Sequence, residues 1–268
     1  MANIGNSTYE LRYLDELSQK DTLVHNIHPL IKLIVSLSYI VLAVSYGKYD
    51  IMGLLPLIIY PIIIFNLGDI PFLPIAKRTL IVLPLVLGLG IFNPIMDRNL
   101  VTLFGNFSLI GGWLSYITLI IKSLLTVVSA LLLISTTGIE KIIQAMSQIK
   151  ISKIIVMQFL LTYRYISVLL EEITNIWTAY SLRAPAQKGI HYQSWGPLLG
   201  QLLIRSYDRA QRIYNGMVLR GFNGDFYRLN NNKLLFKDIT YGVLWILFFL
   251  LVRFYNIPML LGSIMTGV

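Results

Sequence analysis

Apolar residues along this chain gather into five long runs, and between the fourth and the fifth the pattern changes from unbroken hydrophobicity to a helical alternation of apolar and polar positions. The first run, residues 30–46, follows Pro29, which suits a helix start because its missing N–H would be unpaired there anyway. A polar break at 47–50 leads into residues 51–67, where Pro56 and Pro61 predict kinks. Residues 68–78 return to the starting side on Lys77 and Arg78, and the third run, 79–95, holds Pro84, Gly88 and Gly90, which predict close packing against another helix. A loop at 96–108 carries only Asp97 and Arg98 as charges. The fourth run, 109–136, exceeds the ~20 residues needed to span a bilayer, so tilting or overhang is expected. The fifth, 239–255, has Tyr241, Trp245 and Tyr255 near its ends, as interfacial aromatics prefer, and residues 258–268 are too few to span alone. Ahead of all this, residues 1–29 read as an amphipathic or irregular segment with a short helix over 9–18, where Leu11, Leu14 and Leu17 recur.

The alternating segment predicts three helices. Residues 138–149 put Ile139, Ile142, Ile143 and Met146 on one face and Glu140, Lys141 and Gln144 on the other. Residues 153–183 form a far longer one, with a polar stripe through Arg164, Ser167, Glu171 and Thr178 beside an apolar stripe through Ile166, Ile173 and Tyr180; such a stripe is a packing face for a helix or the bilayer interface. Glu171 and Glu172 are expected to face water or to pair with Arg164. The third begins at Pro197 and runs to Arg220, gathering Arg205, Arg209, Arg212 and Arg220 on one ridge, with Asp208 four residues before Arg212. The two long helices end alike. Leu182-Arg183-Ala184 stands before Pro185, and Leu219-Arg220-Gly221 closes on a glycine that can take the left-handed conformation. Both arginines therefore sit where a helix carries partial negative charge, with side chains free to meet an acidic partner.

The expected architecture is an all-α integral membrane protein of five transmembrane helices and a cytoplasmic coupling segment of three amphipathic helices. It divides into residues 1–29, a membrane block at 30–136, coupling helices at 137–238 and a last membrane helix at 239–268. Composition agrees: 56% hydrophobic, 13% charged, and a mean hydropathy of +0.68. Residues 137–238 hold 13 Lys/Arg against 6 Asp/Glu, +7 of the chain's +9, which puts that segment and the N-terminus on the cytoplasmic side. The C-terminus is then outside. No basic flank and cleavage site mark the N-terminus, so the first run is expected to stay as an anchor.

Candidate chemistry is thin. The chain has no cysteine, so disulfides and thiolate metal sites are excluded. His25 and His28 have a spacing that two helical ligands could use, but Pro29 follows directly and no acidic or thiol partner is near, so a plain interfacial role is favoured; His191 is a lone loop histidine. There is no phosphate-cradling G-x-x-x-x-G-K-[ST], no G-x-S-x-G and no H-E-x-x-H. Lys32, Lys122 and Arg253 lie towards the ends of their runs and are expected to snorkel. With no ionisable residue expected near the midplane, the solute is expected to be handled by another subunit. The arginines are interleaved with apolar stripes, which argues against nucleic acid. A lipid-modifying membrane enzyme would need clustered acidic residues or a nucleophile beside a base, and a self-contained carrier would need flux without partners.

Residues 203–224, Leu-Ile-Arg-Ser-Tyr-Asp-Arg-Ala-Gln-Arg-Ile-Tyr-Asn-Gly-Met-Val-Leu-Arg-Gly-Phe-Asn-Gly, resemble the T subunit of energy-coupling-factor transporters, in its cobalt/nickel-type CbiQ branch. Tyr163-Arg164-Tyr165 with Leu169-Leu170-Glu171-Glu172, and Leu14-Asp15 leading to His28-Pro29-Leu30-Ile31-Lys32-Leu33, extend the likeness. The resemblance implies a bacterial or archaeal cell-membrane scaffold without catalytic activity, whose coupling helices end in two X-Arg-X motifs docking on a pair of CbiO-like ABC ATPases. Carried over, these motifs are Leu182-Arg183-Ala184 and Leu219-Arg220-Gly221; the first departs in having Ala184-Pro185 where glycine is frequent. It also implies a CbiM-like substrate-binding subunit for Co²⁺ or Ni²⁺, or a vitamin-binding one in the neighbouring branch. ATP and Mg²⁺ would be bound by the partners, and no cofactor or metal by this chain.

Overall fold

A computed structural model of the chain describes residues 13, 15–97, 100–104, 107–149, 151–185, 189–224 and 234–254. The helix expected over 9–18 falls mostly outside these, although residues 15–18 are helical; Tyr255 and residues 258–268 lie outside as well. The chain folds as two compact units, one made of Leu14–Ile142 and Asn232–Val268, the other of Met1–Tyr13 and Ile143–Asn231.

The first unit holds the apolar runs. Helix α1 (Pro29–Ser45) opens on Pro29, and the His28 side chain accepts from Leu30 N at its first turn. The doubly proline-marked run begins as a 3-10 helix, Met52–Ile58, and becomes α-helical in α2 (Ile59–Leu67). Pro61 has no N–H to offer the Leu57 carbonyl four residues before it, and the Tyr39 hydroxyl donates there instead at 3.1 Å. Helix α3 (Phe72–Gly90) starts before Lys77 and Arg78, so the third run is not bounded by those charges as expected: two charges with good helix propensity within the first turns interrupt nothing. A short α4 (Phe92–Met96) continues it.

The stretch expected as a loop over 96–108 contains an antiparallel hairpin, β1 (Leu100–Phe104) with β2 (Phe107–Ile110), so the fold is helical with one two-stranded addition. Helix α5 (Gly111–Thr137) follows, 27 residues or about 40 Å long against a ~30 Å hydrocarbon layer. Its end is closed by Gly138 at φ +77°, whose N–H reaches Ile134 O at 2.8 Å. The last helix of this unit, α9 (Phe236–Phe254), packs on α1 through an aromatic cluster: Tyr39, Tyr60, Trp245 and Phe249, with Tyr39 and Tyr60 ring centroids 4.7 Å apart and Trp245 edge-on to Tyr60 at 4.8 Å. Leu54, Leu57, Ile75 and Leu132 complete this core.

One charge expected to snorkel is inside, and an aspartate is buried with it. Lys32 does not snorkel; it is buried and donates to His25 O at 3.3 Å and to Thr136 O at 2.8 Å, a cation at the C-terminal end of α5. Asp238 is buried beside it, its two carboxylate oxygens accepting from His28 N at 3.0 Å and Leu235 N at 2.9 Å, which ties the start of α9 to the start of α1. Lys122 sits within α5 and reaches the Tyr46 carbonyl, and Arg253 stacks over the Tyr46 ring at 4.8 Å.

Among the described residues, three stretches are long and apolar enough to cross a membrane: Phe72–Met96, Gly111–Thr137 and Lys153–Arg183; Pro29–Ser45 and Met52–Leu67 are shorter apolar helices. The protein is a multi-pass helical membrane protein. In α9 three charges, Lys237, Asp238 and Arg253, flank a shorter uncharged centre.

Candidate functional site

The second unit is dominated by α7 (Lys153–Arg183) and α8 (Trp195–Leu219), preceded by α6 (Ile139–Met146), across which the boundary between the units falls, and a 3-10 turn at Ser147–Ile149. Residues 138–149, expected as one helix, are thus split between two helix types. The 31 residues of α7 span about 46 Å. Its polar stripe is made largely of hydroxyls turned back on their own helix: Thr174 to Leu170 O and Thr178 to Thr174 O, both at 2.8 Å, and Ser181 to Thr178 O at 2.9 Å. Hydroxyls so satisfied present less polarity than their number suggests, and by length and composition α7 is apolar enough for a span.

Each long helix ends on its arginine. In α7, Ala184 is the C-cap, its N–H bonded to Tyr180 O at 3.1 Å, and Pro185 stops the helix. In α8, Phe222 N reaches back to Met217 O at 3.0 Å and Gly221 N to Val218 O at 2.9 Å, with Gly221 at φ +82°. This is the Schellman closure, and it makes Arg220 the C-cap. Leu182 and Leu219 are 77% and 87% exposed, so each tip presents a bare leucine beside an exposed guanidinium.

The remaining arginines of the ridge are not equivalent. Arg205 Nη1 pairs with Glu172 Oε1 on α7, and Arg209 Nη2 stands 4.0 Å from Glu172 Oε2. Arg212 is exposed and makes no ion pair among the described residues. Glu172 therefore neither faces water nor pairs with Arg164; the reach of two arginines from the next helix decides its partner. Nothing in the local spacing of α7 indicates this contact. The turn between the helices is held by the Tyr180 hydroxyl, which accepts from His191 N at 3.1 Å.

No ligand set emerges for a metal. Among the described residues no three His, Asp or Glu side chains cluster. The His25 ring bonds Thr22 Oγ1 at 2.7 Å and Leu17 O at 3.0 Å. Because a carbonyl only accepts, Nε2 carries the proton and Nδ1 accepts from the threonine. Burial and the nearby Lys32 charge hold the His25 pKa below its usual 6.5. The Asp97 carboxylate, in a polar pocket with Lys48, Asn93 and Ser115, is taken by Lys48 at 2.8 Å and by the Tyr49 hydroxyl. A larger groove of about 740 Å³ lies among α2, α3 and α5 and is lined by Ile62, Phe65, Leu80, Leu83 and Leu124, with only Asn66, Asp69 and Thr79 polar.

The family model of CbiQ, described as a cobalt transport protein, matches residues 20–230. An uncharacterised protein of Methanocaldococcus jannaschii is 25% identical over 244 residues, 85% of this chain and 81% of that one. The nickel permease LarQ of Lactiplantibacillus plantarum is 26% identical over 117 residues, 42% of this chain and 43% of its own. The family match takes in α1 through α5 and both arginine-tipped helices, and the chain accordingly belongs to the CbiQ family of cobalt transport proteins.

Proposed function

We propose that this chain is the transmembrane T subunit of an energy-coupling-factor importer for Co²⁺ or Ni²⁺, a non-catalytic scaffold that carries the stroke of two separate ABC ATPases to a separate substrate-binding membrane subunit. One observation carries the reading: two long helices of the same unit each end in an exposed leucine–arginine tip. The charges between those helices support placing them in water. Glu172 with Arg205 and Arg209, and Asp208 and Arg212 beyond them, are more ionisable groups than a pair of helices carries through hydrocarbon without a polar cavity. The family match and the nickel permease among the relatives support a transition-metal cargo.

In this reading ATP closes the two ATPases, which bind the tips through Arg183 and Arg220 and draw them along. Helices α7 and α8 are stiff over several turns, so the displacement reaches the apolar surface that seats the substrate subunit. That subunit tilts and releases its ion to the cytoplasm.

The test is the Arg183→Glu/Arg220→Glu double variant in cells that express the ATPase and substrate subunits. Each reversal sets like charges against an acidic groove, which costs several kcal/mol of association. Uptake of radiolabelled Co²⁺ or Ni²⁺ is expected to fall to background, and the ATPases to be lost on purification of the variant. Undiminished uptake and copurification would refute the reading.

A further inference from the structure

We infer that Glu172 is a positioning residue, the fulcrum that sets where α7 and α8 cross and so how the tips bearing Arg183 and Arg220 are held relative to each other. The inference rests on the coupling role proposed above for the tips. Three observations lead to it. The Glu172 carboxylate is shared between successive turns of α8, one oxygen on Arg205 Nη1 and the other 4.0 Å from Arg209 Nη2. Its side chain is 18% exposed, against 51% and 43% for the two arginines, so it is the shielded centre of the cluster. No residue of α7 or α8 is buried, so tight apolar packing does not lock the pair at one crossing.

The positions along the two helices give the cluster its meaning. Glu172 is eleven residues from Arg183, and Arg209 is eleven residues from Arg220. Eleven residues make about three turns and about 16 Å, and return to within ~20° of the starting direction. Each helix thus extends an arm of the same length from the cluster, with the pivot residue and the tip arginine on the same side. A second anchor, the Tyr180 hydroxyl accepting from His191 N, lies eight residues beyond Glu172 on α7. Two fixed points on one helix define a direction, where one would define only a place.

Ion pairs whose arginines are about half exposed add little to stability, so the cluster is not needed to keep the fold. What it does is choose one crossing among several that two smooth helices could adopt. Glu171, the adjacent acid, points about 100° away and cannot substitute.

The absence of cysteine makes the test direct. Ala179→Cys and Asn215→Cys, about one turn short of each tip, carry spin labels in the full chain in nanodiscs. Double electron–electron resonance then reads the distance between the arms. The expectation is one narrow distribution for the otherwise native chain, a broadened or displaced one for Glu172→Gln, and a narrow one again for Glu172→Arg with Arg205→Glu and Arg209→Glu. A merely structural role would not give that reciprocal rescue. In the assembled transporter, Glu172→Gln should retain the ATPases and their ATP hydrolysis while metal uptake per ATP falls tenfold or more, and the swapped variant should recover it.

A Glu172→Gln chain with an unchanged distance distribution overturns the inference, as does one with altered distances and undiminished uptake. If the native chain captures no ATPase, the coupling reading fails instead. The distance measurement, made without partners, still decides whether Glu172 sets the crossing.

Discussion

Lys32 and Asp238 show how a charge can be put inside a membrane protein when its own charged atoms are met by backbone groups. The lysine takes the Thr136 carbonyl at the end of α5 and the His25 carbonyl ahead of α1, and the aspartate takes N–H groups ahead of α1 and α9. Substituting Asp238→Asn removes one acceptor and turns an NH₂ toward one of the two N–H donors. Thermal unfolding in detergent should show a loss of about 1–3 kcal/mol. Lys32→Met strips Thr136 O of its donor but also removes a buried charge, so its loss should be the smaller of the two. His25 gives a pH signature. Its folded pKa lies below 6.5 because burial and Lys32 disfavour the imidazolium. The unfolded chain therefore binds the proton first, and the stability the neutral ring contributes is complete above pH ~6.5 and lost as pH falls through the folded value. A His25→Gln chain should lack this part of the acid-side decline in a pH series of melting curves. None of these roles was legible in the sequence: the charges sit at the ends of apolar runs, where snorkelling and burial produce the same string, and the partners are up to 210 residues away.

At the scale of elements the legible features were those with a local cause. The bounds of α7 follow from its apolar stripe and Pro185, and the end of α8 from Gly221. Where expectation and structure differ, a competing local signal is present. Lys77 and Arg78 resembled a loop, although Pro71 just before α3 was the better boundary mark. The hairpin after α4 is too short a run to stand out from a loop, although the Gly105-Asn106 pair in the sequence between two β-prone tetra- and pentapeptides is a turn signature. Three glycines separate conformational need from mere presence. Gly221→Ala forces a left-handed alanine costing ~1–2 kcal/mol, and hydrogen exchange at the Gly221 and Phe222 amides should speed up. Gly112→Ala would bring Cβ to 2.6 Å from Pro94 Cα and 2.7 Å from two carbonyl oxygens, all backbone, so the α4–α5 junction must open at a cost of about 1–3 kcal/mol. Gly200, inside α8, has nothing within 4 Å of such a Cβ, and Gly200→Ala should raise the melting temperature by removing a helix-interior glycine worth about 1 kcal/mol.

For the molecule as a whole, function depends on which side of the membrane the second unit faces. By length and composition α7 could be a span, and a chain with α7 in the bilayer would have no lever. Two physical facts argue otherwise: the ion cluster on Glu172, which hydrocarbon would penalise, and the basic excess of residues 137–238, which favours the cytoplasm. Tyr192 lies in the turn between α7 and α8 and is 89% exposed. With no native cysteine to confuse the readout, Tyr192→Cys reports the location of that turn through a membrane-impermeant maleimide. Labelling is expected only after the cells are opened. Strong labelling of intact cells would place the turn outside, away from ATP, and Arg183 and Arg220 could not then both meet a cytoplasmic motor.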